Sequence, residues 1–325
     1  MSFGNHYDVS NNVDVTDSRA VSAAVIQIFR ELYPGAPDSR IDQVFRDLES
    51  LYHGKFPGFH ACDTPYHDIQ HVLNVTLAMA RLMDGYERSQ AGAERLEATH
   101  FCLGIVTALF HDCGYVRRLD DVEHRNGAEM TLTHVSRGAD FLKAYLPMIG
   151  MADMAGIAAA LVHFTGYEIP VAQIVVPSLR YRLLGSLLGS ADIIAQMSDR
   201  CYLEKCRDRL YPEFVAAGIA RKRLPSGKED IVFESGDDLV MKTPKFYAGA
   251  ARRLDEDLGA GYQYISHHFG DGHDPYLKEI SRNVEFAQSI NRSSDTSTLK
   301  RIPPRTLAAD NGAITAPGDA GRAST

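Results

Sequence analysis

Residues 101–112 read Phe-Cys-Leu-Gly-Ile-Val-Thr-Ala-Leu-Phe-His-Asp. The run before the last two residues carries no charge, which predicts a helix apolar on every side and therefore buried. His111 and Asp112 close it, and Gly114 ends the segment. A buried imidazole or carboxylate without a partner is costly, so the pair needs something to bind. A metal ion is one economical partner, because it accepts imidazole nitrogen and carboxylate oxygen together.

The same combination of apolar helix and polar residue recurs on both sides. Upstream, Thr64-Pro65 offers a capping oxygen followed by a first-turn proline, predicting a helix from 64 to about 86. It carries His67 and His71, four apart and so one turn from each other on one face. A helix over about 92–110 then delivers His111 and Asp112. Downstream, a helix at about 126–146 carries His134, and one of small apolar residues at 151–163 ends on His163. A long helix from 177 past 202 sets Asp192 among apolar neighbours, with Gln196 and Asp199 on its face. The charged loop 114–124 holds Tyr115, Arg117 and Arg118, groups able to orient phosphate oxygens.

Amphipathic helices are also expected from 17 and at 38–52, and Thr243-Pro244 predicts a helical restart that persists to about 290. Residues 1–16 read as a flexible arm, 221–242 as a long loop with room for a turn of strand at Ile231-Val-Phe233, and 292–325 as a disordered tail poor in large apolar residues. No internal repeat and no alternating strand pattern is present. The expectation is an all-α fold, one helical body over 17–291 with additional C-terminal helices.

The chain has 325 residues, 45% hydrophobic and 23% charged, ample for a core. It shows no apolar run long enough to span a membrane and no secretory signal, so a cytoplasmic protein is expected. Cys62, Cys102, Cys113, Cys201 and Cys206 form no CxxC pair and read as reduced, buried thiols. A formal net charge of −8 argues against a nucleic-acid binder that neutralises many phosphates. It leaves room for a small anionic substrate, since metal ions can invert the local field.

Taken in order, the polar residues set in apolar helices are His71, His111-Asp112, His134, His163 and Asp192. This ordered set resembles the HD superfamily of metal-dependent phosphohydrolases in its two-metal version, whose pattern is H, HD, H, H, D on a helical bundle. The likeness covers roughly 60–205. The stretch His-Phe-Thr-Gly-Tyr-Glu-Ile-Pro at 163–170 is similar to the segment that names the HD-GYP phosphodiesterases, with Phe164-Thr165 where that group has His-Glu. The opening Tyr66-His67-x-x-x-His71 resembles instead the cyclic-nucleotide phosphodiesterases, in which the first His is the acid and the second a ligand.

The resemblance implies His71, His111, Asp112 and Asp192 around one ion, and His134, His163 and a bridging Asp112 around a second. The ions would be two divalent cations from Mn, Fe, Mg, Zn or Co, activating water for in-line attack at phosphorus. His67 would protonate the leaving oxygen, while Tyr115, Arg117 and Gln196 would contact substrate. The activity implied is hydrolysis of a small phosphate ester, foremost a nucleotide or cyclic nucleotide. Two other functions fit the same residues: a di-iron oxygenase on this ligand set, and a non-catalytic sensor or scaffold. Loops 54–63, 114–124 and 221–242 would set specificity.

Overall fold

A computed structural model of the chain describes residues 4–89, 95–223, 229–270 and 272–306. Helix α1 (Ser18–Leu32) begins on Asp17, whose carboxylate accepts the Arg19 N–H at 2.9 Å. Helix α2 (Ser39–Tyr52) buries Ile41, Val44, Phe45, Leu48 and Leu51, the stripe its periodicity predicts. Helix α3 (Ile69–Ser89) follows, and 17 of its 21 residues are buried, which makes it the central element. Helix α4 (Ala98–Phe110) is buried on every side from His100 to Phe110. At its start the Glu97 N–H donates to His100 Nδ1 at 3.2 Å, so His100 serves the end of α4 opposite to His111.

Helices α5 (His134–Met148) and α6 (Ala155–Leu161) pack on each other, and α7 (Leu179–Met197) lies against α3, α4 and α6. A broken helix comes next: α8 (Tyr202–Lys205), a π-helical turn at Cys206–Leu210, and α9 (Tyr211–Ala216). Strands β1 (Arg221–Arg223) and β2 (Glu229–Ile231) form an antiparallel hairpin, with Arg221 opposite Ile231. Helix α10 (Gly236–Arg252) packs on the π turn and on α12 (Pro275–Ser293), while the short α11 (Ile265–Phe269) lies against α3. The fold is all-α, as expected, and among the described residues no helix is long and apolar enough to cross a membrane.

Several boundaries differ from the sequence reading. Thr64 does not cap α3, because its hydroxyl donates to His67 O at 2.8 Å. Asp68 takes that place, its Oδ1 accepting the His71 N–H at 3.0 Å, so 64–68 is a turn and His67 lies ahead of the helix. Likewise α10 starts on Ser235, whose hydroxyl accepts the Asp238 N–H at 3.1 Å. A cap followed by Asp237 and Asp238 in the first turn outweighs Thr243-Pro244 as a start signal. The expected start of α4 near 92 falls on residues outside those described.

The segment read as a flexible arm is docked where it is described, over 4–16. Asp8 and Val15 are buried, and Tyr7 and Asp14 form an isolated antiparallel bridge. The Asp8 carboxylate accepts from Ser10, Asn12 and Val13 and pairs with the buried Arg81 of α3 at 2.7 Å. A polar segment can be ordered when its charge meets an opposite charge already buried. The first part of the tail is ordered too: Leu299 is buried, Gln70 donates to Arg305 O at 2.8 Å, and Arg301 N–H donates to Glu204 at 3.1 Å. The rest of the expected tail, 307–325, lies outside the described residues.

Asp8→Ala leaves Arg81 buried without its partner and is expected to lower unfolding stability by about 3 kcal/mol in urea titration. Burial raises the Asp8 pKa, but Arg81, Ser10 and the backbone donors outweigh it and hold the carboxyl below its ordinary value. Its stabilisation is therefore present above the unfolded carboxyl pKa of about 4. The gap between wild type and Asp8→Asn should close as the pH falls through the lower folded value.

Candidate metal centre

The last turn of α4 sets the geometry. His111 Nδ1 lies 2.7 Å from Ala108 O, and a carbonyl can only accept, so the proton sits on Nδ1 and Nε2 presents a lone pair. That lone pair faces His71 Nε2, delivered from the first turn of α3, at 3.4 Å. Asp112 follows directly where α4 gives way to a short 3-10 turn, Cys113–Tyr115. Its Oδ2 stands 3.2 Å from His71 Nε2 and 3.3 Å from His111 Nε2. From α7, Asp192 Oδ1 approaches His71 at 3.4 Å and His111 at 3.9 Å.

His71, His111 and Asp112 are all buried, and one ligand atom from each falls within 4.8 Å of the others, an arrangement that could hold a metal ion. Asp112 Oδ2 is buried and has no hydrogen-bond partner in the protein. If protons alone had to reconcile these atoms, burial would lower the His71 pKa, yet Asp112 and Asp192 would drive it up to about 10. Burial would raise Asp112, and His111 and His71 would pull it well below the ordinary range. An imidazole–carboxylate donor set without thiolate fits a divalent transition ion that satisfies all of these lone pairs at once.

His134 opens α5, with Nδ1 2.7 Å from Thr131 O and Nε2 3.6 Å from Asp112 Oδ1. Asp112 thus directs one oxygen towards His71 and His111 and the other towards His134. Burial lowers the pKa of His134 and of His163, favouring the neutral, ligating form. His163 sits in the 3-10 turn after α6. It makes no ion pair with the central group, and its Nδ1 is buried without a partner. Gly114 lets α5 approach: a Cβ there would lie 1.8 Å from His134 O.

Around the group opens a cavity of about 960 Å³, lined among others by His67, His71, Asp112, Tyr115, His134 and Asp192. His67 Nδ1 lies 2.5 Å from Glu213 Oε2, and Glu213 Oε1 also accepts the Tyr66 and His67 backbone N–H groups at 2.6 and 3.3 Å. Glu213 is fully buried and holds the His67 proton on Nδ1. The sequence offered no signal for it, since a Glu in the first turn after a proline ordinarily faces solvent. The Tyr115 ring stacks on His67 and on His134, with centroids 4.3 Å apart in both cases. Gln196 also lines the cavity, its Oε1 accepting from Tyr66 Oη at 3.2 Å.

Arg117, expected at the substrate, is elsewhere. Nε and Nη2 donate to Asp63 Oδ2 at 3.2 and 3.1 Å and Nη1 to His124 O, tying loop 114–124 to loop 54–63. A nearby carboxylate in the first loop claims the guanidinium before any ligand can. Arg118 pairs with Asp120 on the surface. Asp199 pairs with Lys205 at 2.5 Å, while Arg200 donates to Tyr7 O and Asp8 O. His268 is bonded to the buried Asp84 at 2.6 Å. All five cysteines are buried and unpaired. Burial pushes Cys206, the one lining the cavity, up to about 12, which leaves it no role as a nucleophile at neutral pH.

Comparison with protein-family models, with curated proteins and with solved structures finds no match to the chain.

Protein purified with divalent metal is expected to lose it on Asp112→Ala or His71→Ala, read by elemental analysis, with the helical circular-dichroism spectrum kept. Gly114→Ala forces α5 outward. It should cost about 1–3 kcal/mol of stability and weaken metal retention without removing any ligand.

Proposed function

We propose that the chain is a metal-dependent phosphoric-ester hydrolase of the HD-superfamily type, acting on phosphodiesters. The observation that carries this reading is the buried His71, His111 and Asp112 group opening on a cavity that also holds His67. His71, His111 and Asp112, with Asp192 beside them, would hold one divalent ion. A second would take Asp112 Oδ1 and His134; His163, which the sequence reading adds to it, is not among the residues that line the cavity. Bound there, such ions supply Lewis acidity to a phosphoryl oxygen and acidify nearby water.

The protein's own residues do the rest. Glu213 fixes the His67 proton on Nδ1, so Nε2 is the nitrogen through which His67 exchanges a proton in the cavity. Imidazole is the side chain whose ordinary pKa suits protonation of a leaving alkoxide near neutral pH. Tyr115, stacked on both His67 and His134, restrains the two rings and so the position of the acid relative to the ligand. Gln196 keeps its amide nitrogen for the substrate while its oxygen takes the Tyr66 hydroxyl.

Metal-loaded protein, assayed under nitrogen, is expected to hydrolyse bis(p-nitrophenyl) phosphate or a member of a panel of cyclic and linear nucleotides and other phosphodiesters. His67→Ala should lower kcat by roughly 10²–10⁴-fold with metal content unchanged. Glu213→Gln should lower kcat less than His67→Ala does, with metal content unchanged. Silence across the panel with metal bound would overturn the reading, and turnover that requires O₂ would transfer the site to oxygenase chemistry.

A further inference from the structure

The cavity is lined by two sets of elements. One set, the turn before α3, the end of α4, the start of α5 and α7, carries the imidazoles and carboxylates described above. The other comprises the π turn, α9, the segment around the β-hairpin and α10, and it contributes Leu210, Phe214, Ile219, Phe233, Leu239 and Phe246. This second set is continuous in space with the metal centre, because all of these residues line the same cavity of about 960 Å³. That volume lies at the upper end of the range for small-molecule sites.

Several polar side chains among the lining residues are already bonded within the protein, while Lys245 on α10 is exposed. Thr243 donates to Leu239 O at 3.1 Å, Thr131 to Ala128 O at 2.6 Å and Thr165 to Val162 O at 2.8 Å. Glu168 accepts from Ser136. Lys242 Nζ donates to Val232 O and to Asp238, both at 2.8 Å, and lies over the Phe233 ring. A nucleobase and ribose present several donors and acceptors that must be matched when buried, whereas the side chains of this second set are apolar apart from Lys242, Thr243, Lys245 and the Cys206 thiol. This wall offers apolar surface that gains by excluding water. Part of that surface is open to solvent: Val232 is 40% and Phe246 39% exposed, more than a closed core would leave.

We infer that the substrate is an amphiphilic phosphate ester whose organic half is an alkyl-like apolar group. The phosphate stands at the His71, His111 and Asp112 end, and the apolar group lies along Leu210, Phe214, Phe233, Leu239 and Phe246. The ester part of this inference rests on the hydrolase reading, whereas the apolar part rests on the wall alone.

Calorimetry of the metal-loaded protein with methyl, butyl and octyl phosphate separates the two. Affinity should climb with chain length, octyl exceeding methyl by about 100-fold or more, as burial of roughly half of its seven added methylenes gives, and exceeding adenosine monophosphate as well. Phe246→Glu, a partly exposed position that the fold tolerates, and Phe214→Ser should each cut the octyl-to-methyl ratio by about tenfold. Equal affinity for methyl and octyl phosphate, or tighter binding of the nucleotide, overturns the inference whether or not any ester is turned over. The matching alkyl p-nitrophenyl phosphates report on the hydrolase reading. Cleavage of the methyl ester without chain-length preference keeps that reading and removes the apolar group. Chain-length-dependent binding with no cleavage of any ester does the reverse.

Discussion

Lone pairs brought together in a dry interior govern this structure. His71 and His111 turn their Nε2 atoms towards each other at 3.4 Å, and an Asp112 oxygen with no hydrogen-bond donor joins them. Buried acceptors facing acceptors are unfavourable unless a cation or shared protons lie between them. The helices that carry them are held too firmly to relax apart. Helix α4 is apolar on all sides, and α3 is buried along nearly its whole length, so the hydrophobic core fixes the polar group that it surrounds.

A second layer of hydrogen bonds fixes each ring. Ala108 O and Thr131 O set the tautomers of His111 and His134, and Asp68 caps the helix on which His71 rides. Asp68 is itself buried, which raises its pKa, while Lys205 and Arg209 counter that. The residues around the π turn therefore support His71 from behind while Leu210 faces the cavity. Glu213, one turn further on, orients His67. Outer partners of this kind decide ring orientation and ligand basicity as much as the ligands do.

The helical architecture was readable because apolar spacing reports burial locally. His71, His111, Asp112, His134 and Asp192 stood out as polar residues in apolar helices, and their spatial meeting follows from those helices packing together. Glu213 and the apolar wall were not readable. An acid after a proline and a run such as Ile231-Val-Phe233 look the same whether they face water or a cavity. Arg117 read as a substrate contact because its nearness to His111-Asp112 in sequence is visible, whereas its bond to Asp63 on another loop is not. The first sixteen residues read as an arm because Asp8 has no local partner. Its partner Arg81 lies on α3, more than seventy residues away.

By itself, the sequence determined an all-α chain and the residue types of a group that could hold a metal ion, since helix period and the cost of burying an imidazole or carboxylate are properties of short segments. Only the tertiary structure decided which nitrogen of each imidazole is free, which oxygen of Asp112 meets which ring, and that Glu213 stands behind His67. It also decided that an apolar wall adjoins the group. These depend on distances of a few ångströms between segments far apart in the chain, set by how the helices pack rather than by any one of them.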